Sequence, residues 1–311
     1  MAAKSTRKRK IAANFALIIF TFIFAGITCF NVLKLIELKN KERKPGTIDQ
    51  VIVVEDPQKD PGVIDLQPTV NSWLQGVSGT AGIYIYDLDN ETAVAEYNSD
   101  LTFGTASLYK LFVVYQAYLN MQSGASGPND IITRGFTRLQ CLDKAIRESH
   151  SGCAETLWSE MGRSQLDTII SQNWGITNSQ ISRLASTPKD MYKIMRKYYE
   201  HKDLTDDNVA RIKDSMLVQP PVNNGLCGGP CDWRRGLPSG FKVASVYNKV
   251  GWEHSGYGNI WNLYHDAAIV EFPATKTLKA RHYIMIVMTK RITYQQISAL
   301  GAALEQVILN N

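Results

Sequence analysis

Charge is what this sequence has least of once its first ten residues are set aside. Five basic residues lie there (Lys4, Arg7, Lys8, Arg9 and Lys10), and they account for the whole formal net charge of +5. The remainder is close to neutral, which gives a nucleic-acid partner little support, and none is expected. Metal-ligand spacing is missing too. The chain has 5 cysteines and 5 histidines, yet Cys227 and Cys231 have no second Cys or His pair at zinc spacing. Neither a metal nor any cofactor is expected, and no internal repeat is apparent.

Charge is also absent from residues 11–33, a run rich in Ile, Phe, Leu and Ala. A helix needs about 20 such residues to cross a bilayer. With a basic cluster before it and a large domain after it, the run predicts a single-pass cell-membrane anchor. The N-terminus is then cytoplasmic and the C-terminal domain extracellular. The run is long for a cleaved signal peptide and lacks a small-x-small end. Ile27 and Thr28 precede Cys29 where a lipoprotein signal would carry small residues. The expected organisation is a tail (1–10), an anchor (11–33), a stalk (34–67) carrying Pro45, Pro57 and Pro61, and a folded domain (68–311). Four cysteines follow the anchor: Cys141, Cys153, Cys227 and Cys231. An even count in an oxidising space reads as two disulfides, and the spacing suggests Cys141–Cys153 and Cys227–Cys231.

Within the domain, residues 70–74 look helical. Residues 82–88 and 92–97 alternate about a turn at Asp89-Asn90, as a β-hairpin does. A long helical middle spans 107–214, strands return at 242–250, 267–272 and 283–289, and 293–309 has helical periodicity. The layout is α+β: an antiparallel sheet from both chain ends, flanked by helices, with an inserted all-helical subdomain. A site can form where the insert meets the sheet.

Ser-x-x-Lys occurs four times, starting at Ser5, Ser107, Ser186 and Ser239. Only Ser107-Leu-Tyr-Lys110 opens a long apolar helix. In a first helical turn the two side chains share a face. A lysine packed there loses hydration, so its amine can be neutral and take the serine's proton. The free N–H groups at that helix end can hold an oxyanion.

Thr105-Ala-Ser-Leu-Tyr-Lys110 resembles the first box of class A β-lactamases and penicillin-binding proteins. The region 145–155 resembles their Ser-Asp-Asn segment, with Ser149-His150-Ser151 at the box and Ser151-Gly-Cys153 as a rival register. Thr187-Pro-Lys-Asp-Met191 resembles a Thr-Pro helix start. Arg235-Gly-Leu-Pro-Ser-Gly and Val243-Ala-Ser-Val-Tyr-Asn-Lys-Val-Gly251 resemble the turn and strand of the Lys-Thr-Gly box, and Tyr264-His-Asp-Ala-Ala-Ile-Val270 the strand after it. The resemblance implies that Ser107 is the nucleophile, Lys110 its base and Ser149 a proton relay. Lys249 would supply positive charge near the substrate. The amides of Ser107 and Trp252 would form an oxyanion hole, with Gly251 and Ser151 lining the substrate site.

Three departures narrow these expectations. Ser151 replaces the Asn of the second box, and Val250 replaces the Thr of the third. Losing a hydrogen bond to a charged group costs about 1.5–3 kcal/mol, so carboxylate recognition should weaken. Residues 173–185, which run into the Thr-Pro helix, contain no Glu or Asp. The loop whose Glu activates the deacylating water is therefore missing, and an acyl-enzyme should form more readily than it hydrolyses. Glu148 and Glu155 are the substitutes available nearby; His254 and His265 read as structural. The leading expectation is a monomeric serine hydrolase or acyltransferase acting on a cell-wall peptide, a β-lactam or a related amide or ester. A binding or scaffold domain without turnover, or a β-lactamase with a relocated base, are the alternatives.

Overall fold

The computed structural model describes residues 62–311, apart from 224–226, 228, 255–260 and 277. The expected tail, the anchor and most of the stalk lie outside the described residues. Among those described, no helix is long and apolar enough to cross a membrane.

Helix α1 (Gln67–Gln75) leads into the hairpin of β1 (Thr80–Asp87) and β2 (Thr92–Tyr97). A short β3 (Phe103–Gly104) and a 3₁₀ turn (Ala106–Leu108) enter α2 (Tyr109–Gln122). The small ladder β4 (Ile131–Thr133) and β5 (Phe136–Thr137) precedes α3 (Arg138–Arg147), α4 (Ser151–Met161) and α5 (Arg163–Trp174). Next come β6 (Ala185–Ser186), α6 (Pro188–Glu200), α7 (Asp206–Leu217) and the single turn α8 (Leu237–Gly240). Strands β7 (Ser245–His254), β8 (Trp261–Phe272) and β9 (Arg281–Lys290) follow, and α9 (Tyr294–Asn310) closes the domain. The main sheet has 5 strands in the order β2-β1-β9-β8-β7, antiparallel throughout. The layout is α+β, as the sequence predicts. The insert is helical apart from the β4–β5 ladder and β6, which pairs with β3.

Both faces of the sheet are covered. On β9, Ile284, Ile286 and Met288 pack with the helical insert, whereas Met285 and Val287 pack with residues of α1 and α9. Burial on both faces turns a strand's alternation into a continuous apolar run. Residues 284–288 read that way. Each such side chain contributes roughly 1.5–3 kcal/mol.

Four boundaries differ from the sequence reading, and three have a physical cause. The strand expected from 242 starts at Ser245, because Lys242, Val243 and Ala244 give their N–H groups to the Glu305 carboxylate on α9 at 2.8–3.2 Å. Strand β8 begins at Trp261, earlier than 267, because its ladder with β7 continues to His254. The packed domain takes in Ile64 and Leu66, within the stretch read as stalk, since Leu66 is fully buried and its N–H reaches Val94 O at 3.0 Å. Ser107 lies in the 3₁₀ turn and not in the α-helix itself.

Candidate active site

Three stretches distant in sequence meet where the insert faces β7, the edge strand of the sheet. The first is the 3₁₀ turn. It holds half-buried Ser107 three residues before Lys110, the second residue of α2, and residues at i and i+3 across a helical turn share a face. Ala106, just before Ser107, has φ +43°, a left-handed conformation uncommon for a non-glycine residue. Two contacts fix the turn. Thr105 N–H donates to Leu184 O at 2.6 Å. A Cβ on Gly251 would stand 2.5 Å from Thr105 O and 2.9 Å from Leu108 Cγ, so only glycine lets the β7 backbone lie against this turn.

The second stretch joins α3 to α4. Ser149 adopts φ +55°, and His150 caps α4. This tight corner presents oxygens to the fully buried Lys110 amine, which donates to Ser149 O at 2.5 Å and to the Ser149 and Ser151 Oγ atoms at 3.3 Å each. Burial among neutral oxygens lowers the amine to about 7, against a weaker opposing pull from Glu155. The Cys141–Cys153 disulfide ties the two helices across the corner, with Cα atoms 4.9 Å apart. The Cys227–Cys231 disulfide is also present.

The third stretch is β7 itself. Lys249, 1 % exposed, donates to Ser149 Oγ at 2.9 Å and to Val250 O at 2.8 Å. Burial, and then the neighbouring Lys110, push its amine well below the usual lysine range. The Ser149 hydroxyl thus accepts from two amines. A hydroxyl has two lone pairs and one proton, so its own O–H is left to point at a third group. That is the geometry of a relay. Cys153, the third position of the rival register, is buried in a disulfide.

Sequence reasoning missed what supports Lys249. Asn248 Nδ2 donates to Asp266 Oδ1 at 2.8 Å, Leu237 N–H to Asp266 Oδ2 at 2.8 Å, and Arg234 Nη1 to Asn248 Oδ1 at 2.9 Å. Burial raises the Asp266 carboxyl to about 7. The available signal was Asn248 beside Lys249 and Asp266 at the head of the apolar run 267–270. Val250 is 1 % exposed and packs with Trp233 and Cys231. The Trp252 ring stacks on Tyr294 at 5.6 Å and meets Trp233 and Tyr264 edge-on.

Asp167 and Asp190 bond to the segment 173–185 itself, and Glu155 and Glu148 are paired with other side chains. Asp167 accepts from Ser182 N–H at 3.1 Å and from its hydroxyl. Asp190 accepts from Asn178 N–H at 2.7 Å and Ser179 Oγ at 3.0 Å. Glu155 holds the Tyr109 hydroxyl at 2.7 Å and pairs with Arg163, while Glu148 pairs with Lys144 at 2.7 Å. His265 is structural, as expected. Its Nδ1 accepts from Thr289 N–H at 2.9 Å, so Nε2 donates to Gly104 O at 2.7 Å, and burial lowers the ring to about 4. A cavity of about 340 Å³ is lined by Tyr118, Asp143, Lys144, Arg147 and Asp214, and by none of Ser107, Lys110, Ser149 or Lys249.

A sheet built from both chain ends, a helical insert and a Ser-x-x-Lys turn at their junction define the β-lactamase and transpeptidase-like class of α+β proteins. The model of the beta-lactamase enzyme family matches residues 65–310, and the chain belongs to that family. Among solved structures, PBP-A superposes with TM-score 0.64 at 19% identity, covering 79% of this chain and 97% of that one. A mutant of the class A β-lactamase of the last common ancestor of Gram-negative bacteria gives 0.65 at 15% identity, covering 79% and 99%. A PBP-A mutant in an acyl-enzyme complex with penicillin G gives 0.61 at 18% identity, covering 78% and 96%. No curated protein matches the sequence.

Proposed function

We propose that this protein is a membrane-anchored, extracytoplasmic serine hydrolase or acyltransferase that works through an acyl-enzyme on Ser107. The observation that carries the reading is the Lys110 amine, buried, lowered to about 7 and one turn from Ser107. Ser107 Oγ attacks the substrate carbonyl and its proton passes to neutral Lys110. The amides of Ser107 and Trp252 hold the oxyanion. As the bond to the leaving group breaks, Ser149 hands that group a proton and draws its replacement from Lys110. Lys249 offsets negative charge on the substrate, and Ser151 and Gly251 border it. The substrate is a cell-wall peptide, a β-lactam or a related amide or ester.

Hydrolysis of the ester is slow in this reading, because residues 173–185 bring no carboxylate, Asp167 and Asp190 are bonded to that segment, and Glu148 and Glu155 are paired with other side chains. A fluorescent penicillin and a fluorophosphonate provide the test. A stable adduct is expected on the full chain and not on Ser107→Ala, with a labelling rate that climbs as pH rises through about 7. Hydrolysis of a chromogenic cephalosporin should stay far below the roughly 10 per second of a typical enzyme. Absence of a Ser107-dependent adduct with either probe contradicts the acyl-enzyme; fast steady hydrolysis contradicts the slow second step.

A further inference from the structure

The corner that presents Ser149 and Ser151 to Lys110 is held by a side chain with no part in that relay. His150 is the N-cap of α4, and its Nδ1 accepts from Cys153 N–H at 3.1 Å. The ring lies over the first turn of the helix: a Cβ on Gly152 would stand 3.2 Å from His150 Cε1, so the glycine makes room for the imidazole. On the far side the ring meets Phe136 of β5 edge-on at 5.9 Å. The residues on either side of His150 carry the hydroxyls that contact the Lys110 amine. Anything that releases the cap therefore frees both at once.

A nitrogen can accept that hydrogen bond only while it carries no proton. Most caps are Ser, Thr, Asp or Asn, none of which loses its acceptor near neutral pH as histidine does. The geometry points to His150 as a positioning residue. Its neutral imidazole caps α4 and so keeps Ser149 and Ser151 on Lys110, and protonation of the ring undoes that arrangement. The claim rests on the Ser107 acyl-enzyme reading for its catalytic half only.

The surroundings favour the neutral ring. Burial lowers its basicity, as do Lys144 on α3, Lys110 on α2 and Arg134 in the turn between β4 and β5; Glu148 beside the corner opposes them. An imidazolium would also face the positive end of α4. The cap is therefore closed at neutral pH and opens on acidification, below the ordinary histidine range.

Two measurements on the full chain test this. With nitrogen-15-labelled histidine, the His150 ring should carry its proton on Nε2 at pH 7.5, and the Cys153 amide should shift with the same midpoint as the ring. A proton on Nδ1 at that pH, or a Cys153 amide blind to the His150 titration, overturns the proposal. Fluorescent-penicillin labelling gives the second readout. His150→Ala should slow acylation about tenfold at pH 8, and His150→Asn, which keeps an acceptor without the titration, should restore most of the rate. The ratio of wild-type to His150→Asn rates should then fall on acidification with the midpoint of the ring titration, by up to about tenfold, the Lys110 contribution cancelling. A flat ratio refutes the positioning role. Should Ser107 take up no label, the acyl-enzyme reading fails, and the nitrogen-15 titration still decides whether His150 caps the helix.

Discussion

Lys110 is surrounded by neutral oxygens, and this sets the direction in which its proton acts on stability. Its amine falls from 10.5 to about 7 on folding. Below pH 7 both folded and unfolded chains hold the proton, so the full cost of burying a cation is present. As pH rises from 7 toward 10.5 the folded chain sheds the proton first and the cost is relieved. The stability of the parent relative to Lys110→Met should therefore rise by about 2–3 kcal/mol between pH 6 and pH 9, at ~1.4 kcal/mol per unit. Urea unfolding of both proteins at the two pH values measures it; an unchanged difference contradicts a depressed amine. The meeting of Lys110, Ser149 and Lys249 was legible in the sequence through the order of boxes around them. The left-handed Ala106 and the Asp266–Asn248–Arg234 network were not, because a backbone angle and a buried polar contact depend on partners brought in by the fold.

Between elements, the join from α3 to α4 matters most to the site. Its short corner is bounded by the Cys141–Cys153 disulfide, which closes a loop over a separation of 12 residues. Loops of that size give about 3 kcal/mol of stabilisation in the chain-entropy model. The double variant Cys141→Ala/Cys153→Ala is expected to lose about 2–4 kcal/mol in denaturant unfolding. It should also label more slowly with penicillin, since Ser149 and Ser151 sit inside the closed loop. Equal stability with and without the bridge would contradict this account. Cysteine count and spacing made both pairings readable in advance. The start of β7 was not readable: residues 242–244 have strand-like character, but a carboxylate from the last helix claims their N–H groups.

At the scale of the molecule, that carboxylate links the closing helix to the strand carrying Lys249. Glu305 makes none of the contacts around Lys110, yet Glu305→Ala leaves three backbone N–H groups without their acceptor. It should cost about 1–3 kcal/mol in stability. Acylation should fall with it, the rate recovering in part with Glu305→Gln; a variant as stable as the parent refutes the link. The α+β layout itself was plain from strands at both ends of the chain and helices between them.

The sheet's central pairing, β1 with β9, sets Thr80 opposite Lys290. A chain emerging in order from a ribosome or across a membrane presents Ser107, Lys110 and Ser149 long before the strand that closes the sheet. Until that strand arrives, β1 has no partner on its inner side, and the paired β7 and β8 have no link to β1. The junction of insert and sheet, where both lysines are buried, is then incomplete. On the acyl-enzyme reading, nucleophilicity at Ser107 is in this sense a product of complete synthesis, withheld from every shorter intermediate.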